Sequence, residues 1–281
     1  MMRGMFAAIS GLRAHQVMLD VTANDLANVN TIGYKASRTT FRDALSQLQR
    51  GGSGAGAGLG GTNAAQIGLG TSLGSIDNLM SSGALQSTGN VLDVAIQGQG
   101  WFRVGQGTPG ATPTAGVPTS FQYTRAGNFT TNDQGYLVTA DGYYVVGRTA
   151  PGGGGSDTYL QIPPGASNVA IGQDGSVGYT PPGGGATVTA GYLSLAQFAN
   201  EGGLERASGN RWIASPNSGP EQVGTPGGTY GMTTSGAIEM SNVDLAQEFT
   251  NMITAQRGFQ ANSRVISTAD QMLQDLVDLK H

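Results

Sequence analysis

The chain has 281 residues with a formal net charge of -4; 47 residues are glycine and only 11% are charged, so its polar surface rests on Ser, Thr, Asn, Gln and Gly. Net acidity and fourteen scattered basic residues leave no electrostatic footprint for a phosphate backbone, which argues against nucleic acid as a partner. Cysteine is absent, which excludes disulfides and thiolate metal sites, and no apolar run approaches the ~18 residues that would read as a membrane span.

The opening MMRGMFAAISGLRAHQ sets Arg3 before an apolar patch in the manner of a signal peptide. The patch ends at Leu12, Arg13 and His15 interrupt it, and amphipathic periodicity continues, so a retained helix is expected rather than a cleaved leader. Met2, Met5, Ile9, Leu12, Gln16, Leu19, Ala23 and Leu26 are spaced by alternating threes and fours, a heptad seam that calls for a partner helix. The stretch ANDLANVNTIGYK, Ala23–Lys35, predicts the end of that helix between Ala27 and Thr31. Asn28 and Asn30 tolerate left-handed backbone, and Gly33 permits the turn that redirects the chain. Tyr34 is expected to pack against the C-terminal helix or a neighbouring subunit.

Residues 33–75 read as a Gly-rich linker, with Gly51–Gly61 as its most flexible part and Pro151–Gly155 as a second such loop. Residues 76–240 change to a period of two. Leu92–Val104 reads as two strands around Gly98-Gln99-Gly100, and aromatic-rich hairpins follow, turning at Asn132-Asp133-Gln134-Gly135, Ala140-Asp141-Gly142 and Asp174-Gly175. The chain closes on a second helix from about Val243. Its start is capped by Ser241 or Asn242, Asp244 and Glu248 lie in its first turns, and Leu245, Met252, Phe259, Ile266 and Leu273 recur every seven residues. Phe249, Ala269 and Leu276 widen that stripe. Gln256, Asn262, Ser263 and Asp270 dilute the seam, as Gln16 and Ala23 dilute the first, so both helices suit assembly better than a permanent bundle.

Catalytic and cofactor motifs are missing. No Gly-Lys pair exists for a phosphate loop, and Gly98 and Gly100 lead into Trp101, Phe102 and Arg103 where a dinucleotide fingerprint needs its third glycine. Gly152–Leu160 fits one copy of a calcium-binding nonapeptide with Asp157 as ligand, yet such sites are built from tandem copies. His15 and His281 have no second ligand in local sequence, and Asp133, Asp141 and Asp174 are accounted for as turn residues. No catalytic residue, cofactor or metal is therefore expected.

Residues 1–47, from Ser10, Gly11 and Leu12 to Asn24, Ala27, Asn28, Thr31, Gly33, Tyr34 and Lys35, resemble the N-terminal signature of the bacterial flagellar rod and hook proteins. Asp25 stands where that pattern commonly has asparagine. Met240–Leu276 is similar to the family's C-terminal helix, and Asp93–Val104 to the start of its central β domain. The resemblance implies an α+β subunit in which residues 1–32 and 241–281 pair as a coiled-coil-like inner, channel-side domain around an antiparallel β domain of residues 76–240. It implies a self-assembling helical tube, with Ile9, Leu12, Leu19, Leu26, Leu245, Phe249, Met252, Phe259, Ile266 and Leu273 as its assembly interface. Its expected partners are copies of itself, the distal rod, hook cap and hook–filament junction proteins and the flagellar export apparatus, which would deliver it outside the cell without a cleaved signal and without membrane insertion. Residues 50–90 look most like the short hook proteins, so a hook subunit is the first expectation. A distal rod subunit is the second, and an extracellular Gly-rich adhesin or binding module a remoter third.

Overall fold

Helix α1 spans Met2–Ala27 and helix α2 spans Leu245–Asp278 in the computed structural model, which describes residues 2–54, 56, 60–110, 114–152 and 154–279. The chain divides into two units. One comprises residues 1–27, 37–78 and 244–281, and the other residues 28–36 and 79–243. The architecture is α+β: paired terminal helices and a central antiparallel β region.

In the helical unit, α1 ends at Ala27, just before Asn28 and within the expected window. The cap of α2 differs from expectation. Asp244 supplies it, its Oδ1 accepting from the backbone N–H of Ala246 at 2.9 Å and Gln247 at 3.3 Å, and its charge meets the positive end of the helix. The Gly-rich segment is no mere linker. Ser37–Asp43 pairs antiparallel with Thr71–Asn78, and Ser46–Arg50 with Ala65–Gly68. The first pair shifts register between Thr40 and Phe41, where Gly74 is the extra residue.

The β unit is held by a long antiparallel path. Its strands run, in spatial order, 167–171, 176–180, 188–193, 144–148, 101–105, 121–124, 211–213 and 205–206. Trp101–Gly105 lies inside this path and is buried along its whole length. Alternation sends its side chains to two places. Phe102 and Val104 join Val94, Ile96, Phe129, Val145, Leu193 and Leu195 in the main core, while Trp101 joins Tyr123, Phe198, Leu204 and Trp212 in a second cluster. The hairpins expected at Asn132–Gly135, Ala140–Gly142 and Asp174-Gly175 form. Gly98-Gln99-Gly100 does not close one. Val94–Gln97 pairs with Met232–Ser235, whereas Trp101–Gly105 pairs with 121–124, 144–148 and 195–197. Neither strand pairs with the other, and the partners of both lie beyond the turn in sequence.

Candidate assembly surface and chain joint

Within the helical unit, α1 packs against α2 on one side and against the ribbon 37–43/71–78 on another. Ile9, Leu12, Leu19 and Leu26 are half-buried on α1, as are Met252, Phe259, Ile266 and Leu273 on α2. Deeper burial falls to small residues: Ala8 and Ala14 on α1 and Ala255 on α2, which the spacing did not single out, and Ala269, which widened the expected stripe. The helices approach closely where side chains are short, a contact that a search for large apolar residues passes over. Leu245 and Phe249 are 44% and 50% exposed, and Ile253, Val265, Met272 and Leu276 are exposed elsewhere on α2. Phe6, Ile9, Arg13, Val17 and Leu73 line a groove of about 570 Å³ between α1 and the ribbon.

Ser10 ties that ribbon down. Its hydroxyl donates to the Ala7 carbonyl at 2.8 Å and accepts from the Thr71 N–H at 3.2 Å. At the other end of α1, Asp25 is fully buried, and its Oδ2 accepts from the Ser37 N–H at 3.0 Å. An asparagine carbonyl could accept the same bond. Burial pushes the Glu248 carboxyl above its ordinary value. Asp25 and Asp244 push the same way, and a hydrogen bond from Asn251 opposes them. Asn24 and Ala27 are exposed on the last turn.

The exit motif itself, residues 28–36, belongs to the β unit. Thr31 closes a turn on Asn28, with both its N–H and its hydroxyl at 3.1 Å from Asn28 oxygens. Gly33 has φ +67°, and a Cβ there would sit 2.6 Å from the Ala126 nitrogen, so both conformation and space demand glycine. Its N–H donates to the Glu239 carbonyl at 2.8 Å. Tyr34 packs within the β unit. It is buried under the Arg206 guanidinium, 4.7 Å from its ring centroid, which also lies over Trp212, and its hydroxyl accepts from Arg206 at 3.0 Å. Asn210 donates to the Ile32 carbonyl at 2.6 Å, and Asn242 receives the Ala36 N–H at 2.7 Å while donating to the Leu79 and Ser81 carbonyls. Asn242 thus serves the joint, which is why it does not cap α2.

Beneath the loop lies a buried charge cluster. Lys35 Nζ donates to Glu239 Oε1 at 2.7 Å and to the Ser81 carbonyl at 2.8 Å, Arg125 Nη1 donates to Glu239 Oε2 at 3.2 Å, and the Gly83 N–H adds a bond to Oε1 at 2.9 Å. Two cations share one carboxylate, and all three side chains are at most 2% exposed. Burial holds Lys35 below its ordinary value; Glu239 opposes this without overcoming it, and Arg125 adds to it. Lys35 was legible as a motif residue, but Arg125 and Glu239 carry no local signal.

Among the described residues no group of three His, Cys, Asp or Glu is placed to hold an ion. Asp141 pairs with Arg211, Asp157 with Arg103 and Arg148, and Asp174 accepts from the Ser176 hydroxyl at 2.6 Å, so each has a structural task. His281 and Lys280 lie outside the described residues. No described helix is long and apolar enough to cross a membrane.

Three family descriptions match in order along the chain: Flagella basal body rod protein over residues 5–35, Flagellar hook protein FlgE/F/G D1 domain over 95–179, and Flagellar basal body rod FlgEFG protein C-terminal over 234–279. The chain is 47% identical to the flagellar basal-body rod protein FlgG of Bacillus subtilis, covering 100% of both chains. It is 39% identical to FlgG of Caulobacter vibrioides over 99% of this chain and 100% of that one. A flagellar hook protein, FlgE of Borreliella burgdorferi, is 26% identical with 100% of each covered, so the hook reading expected first is the weaker of the two. With the terminal helices, the exit joint and the β unit all falling in matched segments of a full-length likeness, the chain belongs to the flagellar rod and hook protein family, whose members are structural components of the flagellum and not enzymes.

Proposed function

We propose that the chain is a distal rod subunit of the flagellar basal body, polymerising helically with its own copies into a straight, stiff tube. The observation that carries this reading is the 47% identity to a rod protein along the entire chain, against 26% to a hook protein. The ribbon supports it. Its strands Ser46–Arg50 and Ala65–Gly68 are exposed along their whole length, and Leu45, Ile67 and Leu69 share one face at 78%, 45% and 41% exposure. A lone two-stranded ribbon is marginal in water and gains stability when a neighbour covers it, so many copies stacked in a tube would lock it as a strut and suppress sliding between subunits. The exposed apolar residues of α2 and the groove beside α1 supply further faces for neighbours. Export by the flagellar apparatus, with an uncleaved N-terminus, and a hook seated on the finished tube complete the proposal.

The test is electron microscopy of polymer grown from purified full-length chain. Straight tubes are expected, and shortening the ribbon should make them flexible. Curved tubes from the unaltered chain would return the hook reading. Failure to form tubes or rings at any salt or concentration would remove the structural-subunit reading itself.

A further inference from the structure

Two motifs at opposite ends of the sequence, Ser10-Gly11-Leu12 and Arg257-Gly258-Phe259-Gln260-Ala261-Asn262, meet in the helix pair. A Cβ on Gly11 would sit 2.7 Å from Asn262 Nδ2, and a Cβ on Gly258 would sit 2.5 Å from His15 Cε1. Each helix therefore carries a glycine notch, and each fills the notch of the other with a polar side chain. Four residues forward along α1 correspond to four residues back along α2, so the helices run antiparallel. The imidazole is wedged further by Phe41 of the ribbon, whose ring meets it edge-on with centroids 6.0 Å apart, and its Nδ1 is buried without a hydrogen-bond partner among the described residues.

We propose that these reciprocal notches are the specificity determinants of helix pairing: His15 in Gly258 and Asn262 in Gly11 select one register for the antiparallel pair. The large apolar residues do not make that choice. Met252, Phe259, Ile266 and Leu273 repeat every seven residues, as do Met5, Leu12 and Leu19, so a slip of one heptad leaves an apolar seam facing an apolar seam. The notches break that degeneracy. A slip of seven residues sets His15 against Asn251 or Val265, where a side chain already occupies the space the ring needs, and carries Gly11 to Ala255 or Ala269. Glycine is the poorer helix former at either site, so its presence in mid-helix has to be explained by contact and not by propensity. Register matters for a subunit of any tubular polymer, because a slipped pair displaces every surface that the helices offer to neighbours. The inference is independent of the choice between rod and hook.

The test is a double-mutant cycle in the full-length chain, with Gly258→Ala, His15→Ala and both together. Readouts are thermal melting of the helical signal at 222 nm and hydrogen-exchange protection across residues 8–22. Propensity alone predicts that Gly258→Ala melts higher. The notch predicts the opposite sign: lower melting and a loss of protection of about tenfold, with the double variant recovering to the level of His15→Ala. Gly11→Ala is expected to lose less, because the Asn262 amide can swing aside. Tryptophan fluorescence serves as the folding control, since Trp101 and Trp212 both lie in the β unit. Gly258→Ala melting at or above the unaltered chain overturns the proposal, and so does a double variant that fails to recover. Tube formation is scored separately, so a failed cycle and a failed rod reading remain distinct results.

Discussion

Replacing Glu239 by alanine should be among the most damaging single changes in the β unit, and replacing its partner Lys35 by methionine among the mildest. Glu239 accepts from Lys35, Arg125 and the Gly83 N–H in a site with no exposure. Without it, two buried cations face one another with no anion, and breaking a buried pair in this way costs about 3–5 kcal/mol. The orphaned Gly83 N–H adds roughly 1–3 kcal/mol. The loss takes a large part of the ~5–15 kcal/mol that a domain has in total. Lys35→Met leaves Arg125 and Glu239 as a one-to-one pair. The Gly83 N–H still serves Oε1, and Asn242 still serves the Ser81 carbonyl at 3.1 Å. Exchange of a buried ion for an apolar residue of similar volume is then expected to stay within about 1 kcal/mol of neutral. Urea unfolding followed by tryptophan fluorescence reads the difference directly, since both tryptophans belong to this unit. Equal losses in the two variants would refute the charge imbalance as the governing feature, and an unaffected Glu239→Ala would refute the buried cluster itself.

The same cluster predicts an alkaline effect. Lys35 titrates lower when folded, so the unfolded chain binds more protons between that depressed value and the ordinary 10.5; stability should rise with pH across this window, and Lys35→Met should remove the rise. Glu248 gives the converse in the helical unit. Its folded value is raised, so stability contributed near its ordinary 4.5 is lost as pH climbs through the raised value; Glu248→Gln should abolish that loss and melt higher at neutral pH. Phe259→Asp with Ile266→Asp should collapse the helical signal while moving the tryptophan midpoint by less than ~0.5 kcal/mol, and a parallel loss in both would mean that the two units do not unfold separately. Trp101→Phe should cost only about 1 kcal/mol by calorimetry, because the buried indole N–H has no hydrogen-bond partner to lose among the described residues, whereas Trp101→Ala should cost about 3–5 kcal/mol.

The two helices and the end of α1 were legible because their signals are local: heptad spacing, and Asn28 following Ala27. What packs between the helices was harder to see, since Ala8, Gly11, Ala255 and Gly258 work by being small, and a search for apolar bulk ranks them last. The ribbon was hidden by composition. Its pairing joins Ser37 to Asn78 across a stretch whose glycines suggest flexibility, and only the long-range partner makes Thr71–Asn78 a strand. The contacts of the exit motif were hidden for the same reason. Arg206, Asn210, Glu239 and Asn242, which hold it, lie far away in the chain, so nothing in residues 28–36 revealed that Tyr34 would lie under Arg206.

The chain leaves the β unit after Ala36 and re-enters it at Leu79, and the Leu79 N–H donates to the Ala36 carbonyl at 2.8 Å. The forty-odd residues between them are thus a cassette with a closed mouth. Lengthening or trimming such a cassette changes loop-closure entropy by only about 0.6 kcal/mol per doubling, without shifting either strand at the mouth. Ribbon length can accordingly diverge between related subunits while the β unit keeps its shape, and a peptide tag grafted at the ribbon's far end would report on packing between copies and leave the rest of the subunit undisturbed.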